Sequence, residues 1–155
     1  MPADSAAKQK AAKKDRHAYF GDVAEARYVL RRVFRIAEEQ ARARGIDPLA
    51  HQALIQIYGS AGSVLRVSQI AERLDIAPAF ASSLVRALVE DGLARRTRDE
   101  ADQRVTLVSV TDAAVALLDE IDRAVEFHVG YFAAQIPEAR RKRALSTLKF
   151  YVGLA

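Results

Sequence analysis

The sequence predicts a mainly α-helical protein with a small β-wing, a winged helix-turn-helix carried between long N- and C-terminal helices. Three observations predict it. Residues 64–111 read as a helix, a tight turn, a second helix and two short strands joined by a charged tip. Apolar residues recur at three- and four-residue steps in long segments on both sides of that stretch. Capping and stop residues fall at the ends of these segments. Such an order presents one helix to a DNA major groove.

Taken in chain order, residues 1–16 (MPADSAAKQKAAKKDR) are rich in alanine and lysine without an apolar stripe and are expected to form a flexible basic arm. From residue 19 to about 44, Val23, Ala26, Leu30, Val33, Phe34, Ala37 and Ala41 mark one face of a long helix that Gly45 stops. Arg27, Arg31, Arg35 and Arg42 stand mostly off that stripe, either as a solvated face or as ligands for an anion. Asp47 and Pro48 open the next helix as cap and first residue, and it runs to Tyr58. The GSAGS segment at 59–63 connects it to a short strand at 64–66.

In the central stretch, Ile70, Leu74, Leu84 and Leu88 have the spacing that fastens two helices together. The second helix is expected from 78 to about 91, with Pro78 at its first position and Gly92 leaving it through positive φ. Leu93 begins the first wing strand, and Val105, Leu107 and Val108 belong to its partner. Thr111 and Asp112 then start a long helix to about 135, with Leu117, Leu118, Ile121, Val125, His128 and Phe132 on one side. Pro137 starts a last helix with Leu145, Leu148, Tyr151 and Val152 on its apolar face. This gives three regions: the arm at 1–16, a helical dimerisation region at 17–46 and 112–155, and the winged lobe at 47–111. Pairing the long stripes across a two-fold axis is the economical way to cover them.

Composition narrows the function classes. Lys and Arg number 24 against 20 Asp and Glu, a net charge of +4, so the placement of charge matters more than its total. The absence of cysteine excludes disulfides, thiol chemistry and thiolate metal sites. No apolar run is long enough for a membrane span, and the N-terminus lacks a secretory apolar region, so a cytoplasmic protein is expected. There is no phosphate-binding loop, nucleophile elbow, HExxH or dinucleotide fingerprint. His17, His51 and His128 lack metal-ligand spacing. No catalytic residue, cofactor or metal is assigned.

Several blocks in order carry a resemblance: IAERL at 70–74, LVEDGLARR at 88–96, DQR at 102–104 and the closing Val110-Thr111. From about residue 19 onward the chain resembles the MarR family of winged-helix transcriptional regulators. The resemblance implies a homodimer on a palindromic, double-stranded operator, released by a small-molecule effector. The second helix becomes the recognition helix, with Ala79, Phe80, Ser82, Ser83 and Arg86 toward the DNA. Arg86 reads a guanine or touches a phosphate. Phe80 meets a thymine methyl or packs inward. The family often has an arginine where Ser83 stands, and a capping Ser or Thr where Arg66 and Ala77 stand. Gln69 retains part of a capping box.

In the wing, Arg95, Arg96, Arg98 and Arg104 surround the acidic turn 99–102. The family pattern implies that Arg104 enters the minor groove while Asp102 orients it or braces the hairpin. The resemblance also implies an effector pocket between the lobe and the dimer helices, with Tyr28, Arg31, Arg35, His51 and Tyr58 as candidate contacts. Those residue types suit a small aromatic carboxylate, or an acyl-CoA thioester whose phosphates seek arginine. The competing reading is a winged helix kept for protein contact or scaffolding, without sequence-specific DNA binding.

Overall fold

The computed structural model describes residues 2–129 and 136–151. Its elements are α1 (Pro2–Ala43), α2 (Pro48–Tyr58), β1 (Val64–Arg66), α3 (Val67–Leu74), α4 (Pro78–Glu90), β2 (Ala94–Arg98), β3 (Thr106–Val110), α5 (Asp112–Val129) and α6 (Glu138–Tyr151). A 3-10 turn at Ala61–Ser63 links α2 to β1. The expectations placed on Phe132 and Val152 lie outside the described residues.

One expectation is corrected at once. The flexible arm at 1–16 is not a separate segment: helix begins at Pro2 and runs unbroken through the 42 residues of α1. The composition that suggested disorder is also helix-forming, since alanine, lysine and glutamine all rank high in helix propensity. Pro2 sits at the helix start, where its missing N–H costs nothing.

At roughly 1.5 Å per residue, α1 is about 60 Å long. Its C-terminal end is packed: Ala41 is fully buried and Ile36 and Ala37 are half-buried. Gly45 takes φ 75°, and the Ile46 N–H returns to the Ala41 carbonyl at 3.2 Å, closing the helix end. Asp47 caps α2 as expected, its Oδ1 accepting from the Leu49 and Ala50 N–H groups at 2.8 and 3.2 Å.

The core sits in the lobe. Leu54 and Ile57 of α2, Ile70 of α3, Val85 and Leu88 of α4, Val108 of β3 and Ile121 of α5 are its largest fully buried side chains. Leu84 is buried beside them and Leu74 packs against them half-buried, so the four helix-fastening positions read from the sequence lie in or against the core. The helix-turn-helix corner passes through Asp75 in the left-handed region (φ 52°), a conformation aspartate tolerates better than most residues.

The three strands form one antiparallel sheet in the order β1-β3-β2. β1 pairs Val64 with Ser109 and Arg66 with Leu107, while β2 pairs Ala94 with Val110 and Arg98 with Thr106. β1 therefore anchors the wing hairpin to the start of α3. Gly92 leaves α4 at φ 70°, and its carbonyl accepts the Thr111 hydroxyl at 2.8 Å. The same Thr111 oxygen accepts the Ala114 N–H at 3.2 Å, so one side chain caps α5 and ties it to the end of α4.

Candidate nucleic-acid interface and ligand cavity

Proline at the first position of α4 and alanine at its cap leave the helix N-terminus without a side-chain cap. Its N–H groups and the positive end of its dipole remain open to an anion. Ser82 and Ser83 follow on the exposed face, but each hydroxyl donates to the carbonyl four residues back, at Pro78 (3.1 Å) and Ala79 (3.2 Å). With the proton engaged, both serines present acceptor lone pairs, a poor match to phosphate. Ala79 and Arg86 are exposed, and Arg86 makes no ion pair or hydrogen bond among the described residues.

The wing is bound to this helix directly. Arg96 of β2 donates from Nη2 to the Ser82 carbonyl at 2.9 Å, fixing the distance between hairpin and recognition helix. Arg98 spans the ladder to the Thr106 hydroxyl at 3.2 Å. At the tip, Asp102 accepts the Arg104 backbone N–H at 3.0 Å and its Nε at 3.2 Å. These contacts from Arg104 hold the Asp102 carboxyl below the usual carboxylate range, so it stays ionised at neutral pH. The aspartate thus orients Arg104 itself, one of the two roles expected for it. The Arg104 side chain is 91% exposed and aims outward.

A cleft of about 410 Å³ opens between the start of α3, the recognition helix and the wing, lined by Arg66, Ser68, Ser82, Arg96, Arg104 and Thr106. Of the residues expected at the DNA, Ser82, Arg96 and Arg104 meet here. Phe80 and Ser83 do not: they line a separate groove against Arg44, Asp47 and Leu117 on the other flank of α4. Phe80 is 53% exposed, so inward packing is not its role.

Arg66 was missed as a contact. In the sequence it registered only as an unusual cap, yet its charge also helps keep Asp102 ionised. Three arginines from three separate elements therefore converge on one surface, which no internal packing requires.

Of the five effector candidates, the structure unites two. His51 is buried on α2 and separates two cavities where α1, α2 and α5 meet. The first, about 200 Å³, is lined by Val33, Phe34, Ala37, Glu38, His51 and Ile55 among others. The second, about 350 Å³, adds Tyr58, Leu118, Asp119, Asp122 and Val125. Tyr28, Arg31 and Arg35 line neither cavity: Tyr28 and Arg31 precede the stretch of α1 that does, and Arg35 lies within that stretch, between Phe34 and Ala37, but is exposed on another face of the helix. Arg35 pairs instead with Glu39 at 3.5 Å. Sequence periodicity placed these residues on one helix but not at which height α2 meets it.

Burial pushes the His51 imidazole below its ordinary value of 6.5, against a smaller opposing pull from Asp122. The unfolded chain therefore binds more protons than the folded one just below pH 6.5, and stability falls as pH drops through that value. Thermal melts should accordingly lose more between pH 7.5 and 5.5 in the parent chain than in His51→Gln. Equal losses would mean that His51 does not control the acid limb.

The helix-turn-helix and its paired wing, with the arginine-lined cleft between them, define the fold class: a winged helix-turn-helix module. The MarR family model matches residues 44–105, the winged lobe, and it is this family that the lobe resembles. No curated protein sequence matches the chain.

Solved structures share the fold well beyond the lobe. CouR from Rhodococcus jostii RHA1, bound to p-coumaroyl-CoA, superposes at TM-score 0.63 with 23% identity over 79% of this chain and 85% of that one. The DNA complex of MepR from S. aureus gives 0.61 with 18% identity over 83% and 94%. A MarR mutant from E. coli complexed with operator DNA gives 0.61 with 17% identity over 81% and 89%. Among the described residues no helix is long and apolar enough to cross a membrane.

Proposed function

We propose that the protein is a ligand-responsive transcriptional repressor that acts in the cytoplasm, binds a palindromic operator as a homodimer and releases it when a small molecule occupies the cavities around His51. The observation that carries the DNA reading is the convergence of Arg66, Arg96 and Arg104 beside the open N-terminus of α4. The solved complexes of MepR and MarR with DNA support the same use of this fold.

The homodimer follows from α1. Tyr19, Phe20, Leu30, Val33 and Phe34 are all between 43% and 58% exposed, along one side of the helix that a second copy would cover. The ligand response follows from α5. One face of α5 lines the second cavity, while its first turn is tied through Thr111 to the carbonyl of Gly92 at the end of α4. A second link, Arg44 Nε to Glu120 Oε1 at 3.0 Å, joins the end of α1 to α5. Displacing α5 by filling the cavity therefore moves the recognition helix of each subunit and changes the spacing of the pair.

The test is fluorescence anisotropy on duplexes tiling the region upstream of its own gene, at rising salt. Binding through six to ten phosphate contacts should weaken by roughly 10³ to 10⁵ between 50 and 200 mM salt. No binding at low salt would leave the protein-contact reading of the winged helix in its place. An effector that is an anionic aromatic acid or its CoA thioester, as expected from the arginines of α1, would need cationic groups in the cavity; Arg31 and Arg35 stand outside it.

A further inference from the structure

The lining of the two cavities around His51 carries the opposite charge from the one the sequence led us to expect. Among the described residues no lysine or arginine lines either cavity. The carboxylates of Asp119 and Asp122 line the second, and neither has an ion pair or hydrogen bond among the described residues. Glu38 lines the first, but its charge is already matched by Arg42 Nη2 at 3.1 Å. His51 supplies no compensating cation: burial favours its neutral form. The residue is only 5% exposed, its side chain makes no hydrogen bond among the described residues, and it lines both cavities.

An anion entering this space would meet two carboxylates, both exposed to solvent, and no cationic group among the described residues, which is unfavourable. In the second cavity a cation meets two carboxylates beside the Tyr58 ring, and the neighbouring first cavity adds the Phe34 ring. The remaining wall is aliphatic, from Ile55, Leu118 and Val125.

We infer that the effector is a lipophilic organic cation, a protonated aromatic amine or an onium ion, whose charge lies against Asp119 and Asp122 and whose apolar body fills the space between α1, α2 and α5. This rests on the reading of these cavities as the ligand site, and it replaces the aromatic carboxylate or CoA thioester with a ligand of opposite charge.

A pair of probes of the same shape and opposite charge tests it. Isothermal calorimetry on the full chain should detect binding of tetraphenylphosphonium and at least tenfold weaker binding of tetraphenylborate. In the Asp119→Asn, Asp122→Asn double variant, with folding checked by circular dichroism, phosphonium affinity should fall at least tenfold while borate affinity holds or rises. Equal affinities for the two ions, or a phosphonium affinity indifferent to the double variant, would overturn the cation assignment. Salicylate binding in preference to phosphonium would overturn it too, while leaving the ligand-response reading in place. If none of the three probes binds and none releases DNA, the cation assignment and the ligand-response reading fall together. DNA binding is measured separately, so its loss is not confused with either.

Discussion

An Arg104→Ala variant should bind operator duplex roughly ten- to a hundredfold more weakly than the parent chain, with its thermal midpoint unchanged. The two halves of this expectation have separate causes. In the free protein, Arg104 touches only the Asp102 carboxylate, and its side chain is 91% exposed. An ion pair in that much solvent contributes little to stability, so its removal leaves the fold intact. In the proposed complex with DNA the same guanidinium would meet the concentrated negative potential of a narrow groove.

Truncation does more than delete one attraction. It leaves Asp102 ionised at the wing tip with its hydrogen-bond donors reduced to the backbone, facing phosphate with an unmatched charge. Asp102→Ala should therefore cost less than Arg104→Ala, since it releases the arginine without removing it. Gel-shift titration alongside size-exclusion chromatography separates loss of DNA affinity from loss of assembly. An unchanged affinity would take the wing tip out of the mechanism.

Much of this architecture was legible because each element carried its own boundary chemistry. Asp47 and Pro48, Pro78, Gly92 and Thr111 all stand where the sequence placed them, and each acts through a local rule that needs no tertiary information. The arm failed for a reason of the same kind. An Ala- and Lys-rich segment without an apolar stripe satisfies the signature of disorder and that of a good helix together, and only its continuity with α1 decides between them.

The sites were harder to read, because they are set by which faces meet rather than by what each helix contains. Ser82 and Ser83 are neighbours in sequence yet border different grooves. Arg31 and Arg35 suggested an anion site, while the charge that reaches the cavity comes from Asp119 and Asp122, about seventy positions beyond His51 in the chain, a relation that no local pattern could reveal. The separation of Arg66 from Arg104 by most of the lobe hid their shared cleft in the same way.

Arg66→Ser should raise stability and lower DNA affinity at once. At the cap of α3, the Arg66 N–H donates to Gln69 Oε1 at 2.9 Å, which is half of a capping box. An arginine side chain has no acceptor with which to complete the other half. A serine there accepts the Gln69 N–H and closes the box, worth about 1 kcal/mol. A protein selected for stability alone would favour that serine. What arginine offers instead is a charge in the cleft that holds Arg96 and Arg104, at the level of the recognition helix. Its loss should weaken binding by roughly fivefold to tenfold and reduce the salt slope by about one phosphate contact. Because phosphate carries no sequence, the loss should be equal on operator and on random duplex. Thermal melts and salt-titrated anisotropy on the same preparation read both effects. A rise in stability with no change in affinity would reduce Arg66 to a poor cap, whereas a fall in affinity confined to the operator would promote it from phosphate contact to base reader.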